Sequence, residues 1–229
     1  MRNWNKMRSI SGYIFKGGVM LLALLVLQNA SAQDTLRTYG PRIGLDLSRF
    51  AYIFFDPSEI GAELSVDMEV YRNLYPVLEI GYSSVDESDE EFDYAMSGSY
   101  GRIGVDYNIL SQKDRSIHHS LTAGFRYGLA RFSHQAENVT IPGEYWGDFL
   151  LQSYENNLTG HWIELVGAVK TELLPNLFLG WSIRYKILIN PEMDPLFTPM
   201  IVPGYGRGTR ERGVGFTYSI FYKFPLYKR

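Results

Sequence analysis

Charged side chains recur at every second position along much of this 229-residue chain. The acids in this pattern are Asp46, Glu63, Asp67, Glu69, Glu79, Asp106, Glu164 and Glu172. The bases are Arg102, Arg126, Lys170, Arg184, Lys186 and Lys223. Apolar residues fill the positions between them, so in an extended chain the charges share one face. If that face lines a closed interior, the charges must pair, because isolating one costs far more than pairing it. The expectation is an interlocked salt-bridge network of Glu63, Asp67, Glu79, Arg102, Asp106, Arg126, Glu164, Lys170, Arg184 and Lys186. Arg102, Arg126 and Arg184 are its natural hubs, since one guanidinium bridges two carboxylates. The functional alternative for the same residues is a narrow ion or proton path.

His134 and His161 flank the longest polar stretch, which carries Ser133, Glu137, Glu144, Asp148, Ser153 and Glu155. A histidine with a carboxylate and a serine is the set a lipid-acyl hydrolase needs. No nucleophile elbow accompanies them. They stand as alternative catalytic candidates, and the plainer expectation is two solvated histidines at a rim. His118 and His119 sit by a short link and read as polar surface. The acidic run 86–93 (DESDEEFD) lacks the ligand spacing of an EF-hand and reads as a solvated loop. Residues 204–213 (GYGRGTRERG) are Gly-rich and basic but follow no strand–helix phosphate context. Their arginines suit anionic headgroups as a second reading. No metal site and no cofactor are expected. The absence of cysteine excludes disulfides, thiolate chemistry and lipoprotein processing. A formal charge of −3 argues against a nucleic-acid partner.

The elements that position these residues read as eight alternating segments: 41–51, 61–71, 76–84, 99–110, 119–131, 161–173, 177–187 and 213–224. In the last, Val214, Phe216, Tyr218, Ile220, Tyr222 and Phe224 form a wholly apolar face. Gly215, Thr217, Ser219, Phe221 and Lys223 fall on the other. Short links (72–75, 111–116, 174–176) alternate with long ones (52–60, 84–97, 132–160, 190–212). An even strand count with short turns at one end and long loops at the other is the pattern of an outer-membrane barrel. A soluble sandwich also has one apolar face per strand. Strands near 11 residues and aromatics on the apolar face favour the membrane.

Residues 1–32 have the make-up of a secretory leader. Arg2, Lys6, Arg8 and Lys16 precede a short apolar run, 19–27 (VMLLALLVL), and Ala30-Ser31-Ala32 supplies a cleavage signal before Gln33. The run is about half of the roughly 20 residues a spanning helix needs. This divides the chain into a cleaved leader, 1–32, and one domain, 33–229.

Several segments resemble an uncharacterised family of Bacteroidota outer-membrane proteins, domain of unknown function 6048. They are 161–167 (HWIELVG), 176–180 (NLFLG), 203–205 (PGY), 213–220 (GVGFTYSI) and 225–228 (PLYK). Residues 39–48 (YGPRIGLDLS), 98–108 (GSYGRIGVDYN) and 124–128 (GFRYG) fit it as well. The resemblance implies a barrel fold and an outer-membrane location, and brings no catalytic residues with it.

The sequence therefore predicts an all-β protein, an eight-stranded antiparallel up-and-down transmembrane barrel. Ten strands are the alternative if 132–160 adds a hairpin. The expected role is structural or interactive, with the long loops 132–160 and 190–212 contacting something outside. A lipid-modifying enzyme using His134 or His161 and a narrow channel are the alternatives. Expected partners are outer-membrane lipids and lipopolysaccharide, the barrel assembly machinery during insertion, and an extracellular or periplasmic partner.

Overall fold

The computed structural model describes residues 38–49, 58–88, 93–110, 119–141, 149–191, 193–194 and 198–228. The leader-like segment, His118, Glu144, Asp148 and residues 89–92 of the acidic run lie outside the described residues.

A minor strand, β1 (Thr38–Tyr39), leads into the barrel strands β2 (Arg42–Asp46), β3 (Glu59–Asp67), β4 (Leu74–Ser88) and β5 (Asp93–Asn108). The barrel continues through β6 (Ser120–Ile141), β7 (Phe149–Leu174) and β8 (Leu177–Leu188). Two short strands follow, β9 (Ile201–Val202) and β10 (Gly206–Arg207), then β11 (Arg212–Lys223) and β12 (Tyr227–Lys228). The eight long strands close in the order β11-β2-β3-β4-β5-β6-β7-β8, every pairing antiparallel. Closure leaves no free edge within the ring itself. β1 and β12, the first and last described strands, pair with each other, and β9 pairs with β10 in the last long connection.

The short turns repeat one construction. Asn73 (φ 61°) and Asn176 (φ 67°) take the left-handed conformation that asparagine tolerates better than most residues. The N–H of each donates to a glutamate four residues earlier, Asn73 to Glu69 at 3.1 Å and Asn176 to Glu172 at 2.8 Å. The carbonyl of each accepts from the third strand, from Asn108 N–H and from Lys223 N–H, both at 2.8 Å. Glu69 and Glu172, which alternation places on the charged face but outside the expected network, therefore serve the turns.

Several expected segments differ in length: β4 runs to Ser88 and β5 starts at Asp93, so most of the expected link 84–97 is strand. β2 stops at Asp46, whose Oδ1 accepts the Ser48 N–H (2.8 Å) and hydroxyl (2.5 Å), a local turn that competes with the ladder. The larger difference concerns 132–160. Its described residues add no strand to the ring; 132–141 extend β6 to 22 residues and 149–160 extend β7 to 26. The barrel thus has eight strands, and the ten-strand alternative fails. β8 pairs with β7 only from Trp162 downward, so the upper parts of β4, β5, β6 and β7 rise as a projecting sheet.

Along these four strands the pattern inverts with no break in register. Below a level marked by Ile80, Gly101, Leu129 and His161, which lie side by side, β6 turns Leu121, Phe125 and Tyr127 outward and Thr122 and Arg126 inward. Above it, Arg131, Ser133, Gln135 and Glu137 face out, while Ala130, Phe132, His134 and Ala136 are buried.

Candidate functional site

The interior is built in layers. At the end that carries the short turns, the Asp67 carboxylate lies between Arg42 Nε and Lys170 Nζ, both at 2.5 Å. Aromatic faces complete this layer, with Arg42 over Tyr75 at 4.7 Å and Lys170 over Phe221 at 4.4 Å. Next come Asp106 and Arg126, joined at 2.8 Å.

The central layer holds three glutamates and two arginines. Arg102 donates to Glu63 at 2.5 Å and to Glu79 at 2.8 Å, and stands 3.7 Å from Glu164. Arg184 donates to both oxygens of Glu79 (2.7 and 3.0 Å) and to Glu164 (3.1 Å). Arg126 reaches the same Glu79 at 3.6 Å. All six side chains are buried. These are the geometries in which buried ion pairs offset their desolvation, because each carboxylate meets several donors. Seven acids and seven bases are buried among the described residues, so the formal charges balance.

Above this layer the interior turns apolar. Trp162 Nε1–H donates to Glu164 at 2.6 Å, and Tyr100 donates to Glu63 at 2.6 Å. A side chain at Gly128 would strike the Trp162 indole, and one at Gly204 (φ 75°) would strike the Tyr100 ring. The connection after β8 folds down onto these rings. Val202 and Tyr205 pack against Tyr94, Met96, Phe132, Leu158 and Trp162. Lys186 Nζ fixes the insertion by donating to the carbonyls of Gly204 (2.7 Å) and Tyr205 (3.0 Å). Burial pushes the Tyr205 phenol up to about 12. Of the segment 190–212, expected to reach outward, the described stretch around Val202–Tyr205 instead plugs the upper barrel.

The lower interior keeps a cavity of about 30 Å³ lined in part by Asp46, Asp67, Asp106, Arg126 and Lys170, room for about two water molecules.

The two histidines separate. His134 is fully buried and its Nε2 lies 3.1 Å from Asp194 Oδ2. Asp194 also accepts from the Tyr154 hydroxyl (2.8 and 2.7 Å) and from Asn156 Nδ2 (2.9 Å). That contact holds the Tyr154 phenol above its ordinary range. His161 faces outward, with Nδ1 3.0 Å from the Tyr127 hydroxyl. The two are therefore on opposite faces of one sheet and cannot serve one substrate. Ser133, the serine beside His134, faces out and donates to Glu155 at 3.3 Å. Among the described residues no cluster of three potential ligands suits a metal ion.

A family model described as Domain of unknown function (DUF6048) matches residues 10–229. The chain belongs to this family. Curated proteins give no match. Among solved structures it is similar to Ail, the attachment invasion locus protein of Yersinia pestis, at 11% identity and TM-score 0.43, over 83% of this chain and 100% of that one. It is similar to a major outer membrane protein from Thermus thermophilus at 12% identity and TM-score 0.47, over 82% and 98%. Neisserial surface protein A matches at 11% identity and TM-score 0.42, over 80% and 94%.

Four participants were missed in the sequence. Arg42 and Trp162 were legible, since both fall on the charged face of their segments. Tyr100 has the parity of Arg102 and so also falls on the inward face, but it carries no charge to mark it as a participant. Asp194 lies in an irregular connection, so no periodicity marks it.

Proposed function

We propose that this member of the family is an outer-membrane barrel that does not conduct, and that it anchors a projecting β-sheet on the side away from its short turns. One observation carries the reading: the inversion of polarity at a common level of the strands. At and below the level, Ile43, Leu64, Leu78, Ile80, Ile103, Phe125, Leu165, Ile183 and Phe216 are exposed around the whole ring. Water does not favour such a continuous apolar surface, whereas hydrocarbon does. From Val214 to Phe224, ten steps of about 3.3 Å span about 33 Å, or about 25 Å across a membrane at a strand tilt of about 40°. Above the level, the outward face is polar and the apolar residues turn in, as in a water-exposed sheet. Among the described residues no helix is long and apolar enough to cross a membrane.

The salt-bridge layers and the plug fill the lumen, which favours a structural anchor over a channel. Surrounding lipids and lipopolysaccharide contact the belt, with Tyr82, Tyr107, Tyr127, Trp181 and Tyr185 supplying aromatic anchors. Segment 1–32 directs export and is removed near Ala32, and assembly machinery inserts the barrel. Fractionation of cell envelopes tests this: the protein should sediment with the outer membrane, migrate faster on a detergent gel before boiling, and have Gln33 as its first residue. Recovery as a soluble periplasmic monomer overturns the reading.

A further inference from the structure

Above His161, β7 is paired along β6, and among the described residues no strand pairs with its other side. At His161 the backbone N–H and C=O both point toward the β8 side: the N–H donates to Asn190 Oδ1 and the C=O accepts from Ile189 N–H, each at 2.8 Å. The Thr159 carbonyl points the same way and accepts Asn190 Nδ2–H at 2.8 Å. The Asn190 side-chain amide thus stands in for one peptide group of a neighbouring strand. In an antiparallel ladder every second residue directs its groups to the same side. The N–H and C=O of Ser153, Glu155 and Asn157 therefore also face the β8 side. β8 has ended at Leu188, so those groups continue the β8–β7 ladder, and among the described residues no strand lies upon them.

Native sheets blunt such edges with proline, lysine, bulges or a covering loop. Segment 153–159 (SYENNLT) contains neither proline nor lysine. Its inward side chains hold it straight, since Tyr154 and Asn156 are bound to Asp194 and Leu158 is buried. Ser153, Glu155, Asn157 and Thr159 are exposed. The described charges of the projecting sheet are the acids Asp86, Glu87, Asp93, Glu137 and Glu155 and one base facing out, Arg131. A second copy of this edge would bring acids against acids, while a basic strand is complementary.

We propose that the β7 edge over Ser153–Thr159 takes up an extended, basic segment of another polypeptide as an added strand, with a lysine or arginine beside Glu155. The proposal rests on the reading of the sheet as projecting outside the membrane. Main-chain hydrogen bonds supply the affinity and alternate side chains the preference.

The test uses the full chain folded in detergent and labelled peptides of about ten residues alternating lysine with threonine, or glutamate with threonine. Saturable binding of the lysine peptide is expected, about threefold weaker in Glu155→Gln. Glu155→Lys should turn the preference toward the glutamate peptide. Asn157→Pro removes a donor from the free edge without breaking a bond of the sheet and should weaken binding about tenfold or more; Asn157→Ala keeps the N–H and should bind normally. Bound peptide should slow hydrogen exchange at Ser153, Glu155 and Asn157. If Asn157→Pro fails to fold, as its gel mobility before boiling would reveal, a lysine peptide N-methylated at alternate positions replaces it and should not bind. Absence of binding, equal binding to Asn157→Pro, or an Asn157-dependent dimer of the wild type overturns the proposal. The membrane anchor survives each of these results, because fractionation tests it separately.

Discussion

Replacing Glu79 by glutamine keeps its volume and removes one charge from the centre of the barrel. Its carboxylate accepts two hydrogen bonds from Arg184 and one from Arg102, and stands 3.6 Å from Arg126. Three buried guanidiniums lose their shared counter-charge together. Each retains another carboxylate: Arg102 keeps Glu63, Arg184 keeps Glu164 and Arg126 keeps Asp106. Breaking a buried pair on one side costs about 3–5 kcal/mol, and the surviving partners place Glu79→Gln near the lower end, about 3 kcal/mol. Removing a base at the same time restores the balance. Glu79→Gln with Arg184→Gln should therefore recover to within about 1 kcal/mol of wild type. The assay is urea unfolding and refolding in lipid vesicles, followed by tryptophan fluorescence and by gel mobility, for wild type, both single variants and the double. A cost below about 1 kcal/mol for Glu79→Gln, or additive single effects, would refute the argument that the layer is a mutually dependent, water-excluded network.

Three further outcomes follow from the same structure. In planar bilayers the wild-type protein should show no steady conductance, and a stable open pore would contradict a lumen filled by the Arg102–Glu79–Arg184 layer and the plug. Asn73→Gly and Asn176→Gly should be close to neutral, whereas Asn73→Val or Asn176→Val should cost about 1–2 kcal/mol, because a branched residue resists positive φ; equal unfolding midpoints for Gly and Val variants would reject the turn argument. His134→Ala and Asp194→Ala should each expose the connection after β8 to added protease on intact cells while leaving the barrel fragment folded. An unchanged digestion pattern would show that this cluster does not tether the plug.

Much of the barrel was legible because two simple rules govern its strands. Successive side chains alternate, and a belt facing hydrocarbon must be apolar, so Val214 to Phe224 declares both its conformation and its outward face. Alternating link lengths then set the order of strands and the end at which each turn lies. The same reasoning placed Arg102, Arg126 and Arg184 on the inner face, since a charge opposite an apolar position has nowhere else to go.

The rule that made the belt readable also ended the strands too early. Past Ala130, β6 still alternates, but its apolar residues Phe132 and Ala136 have moved to the inner face. A reader following one apolar stripe sees the stripe stop and infers a loop. Only the paired register shows that strand and pairing continue while the surroundings outside change. The plug was hidden for another reason: residues 190–212 have no period, and their inward fold depends on the Trp162 and Tyr100 rings that await them. The His134–Asp194 contact spans 60 positions of sequence, and the free β7 edge exists because β8 turns away at Leu188. The sequence by itself thus determined what is local and periodic: the strand identities, their faces and the sign of the interior. Tertiary structure decided which charges meet, what closes the barrel and which edge stays open, because those depend on distances between residues that no spacing along the chain encodes.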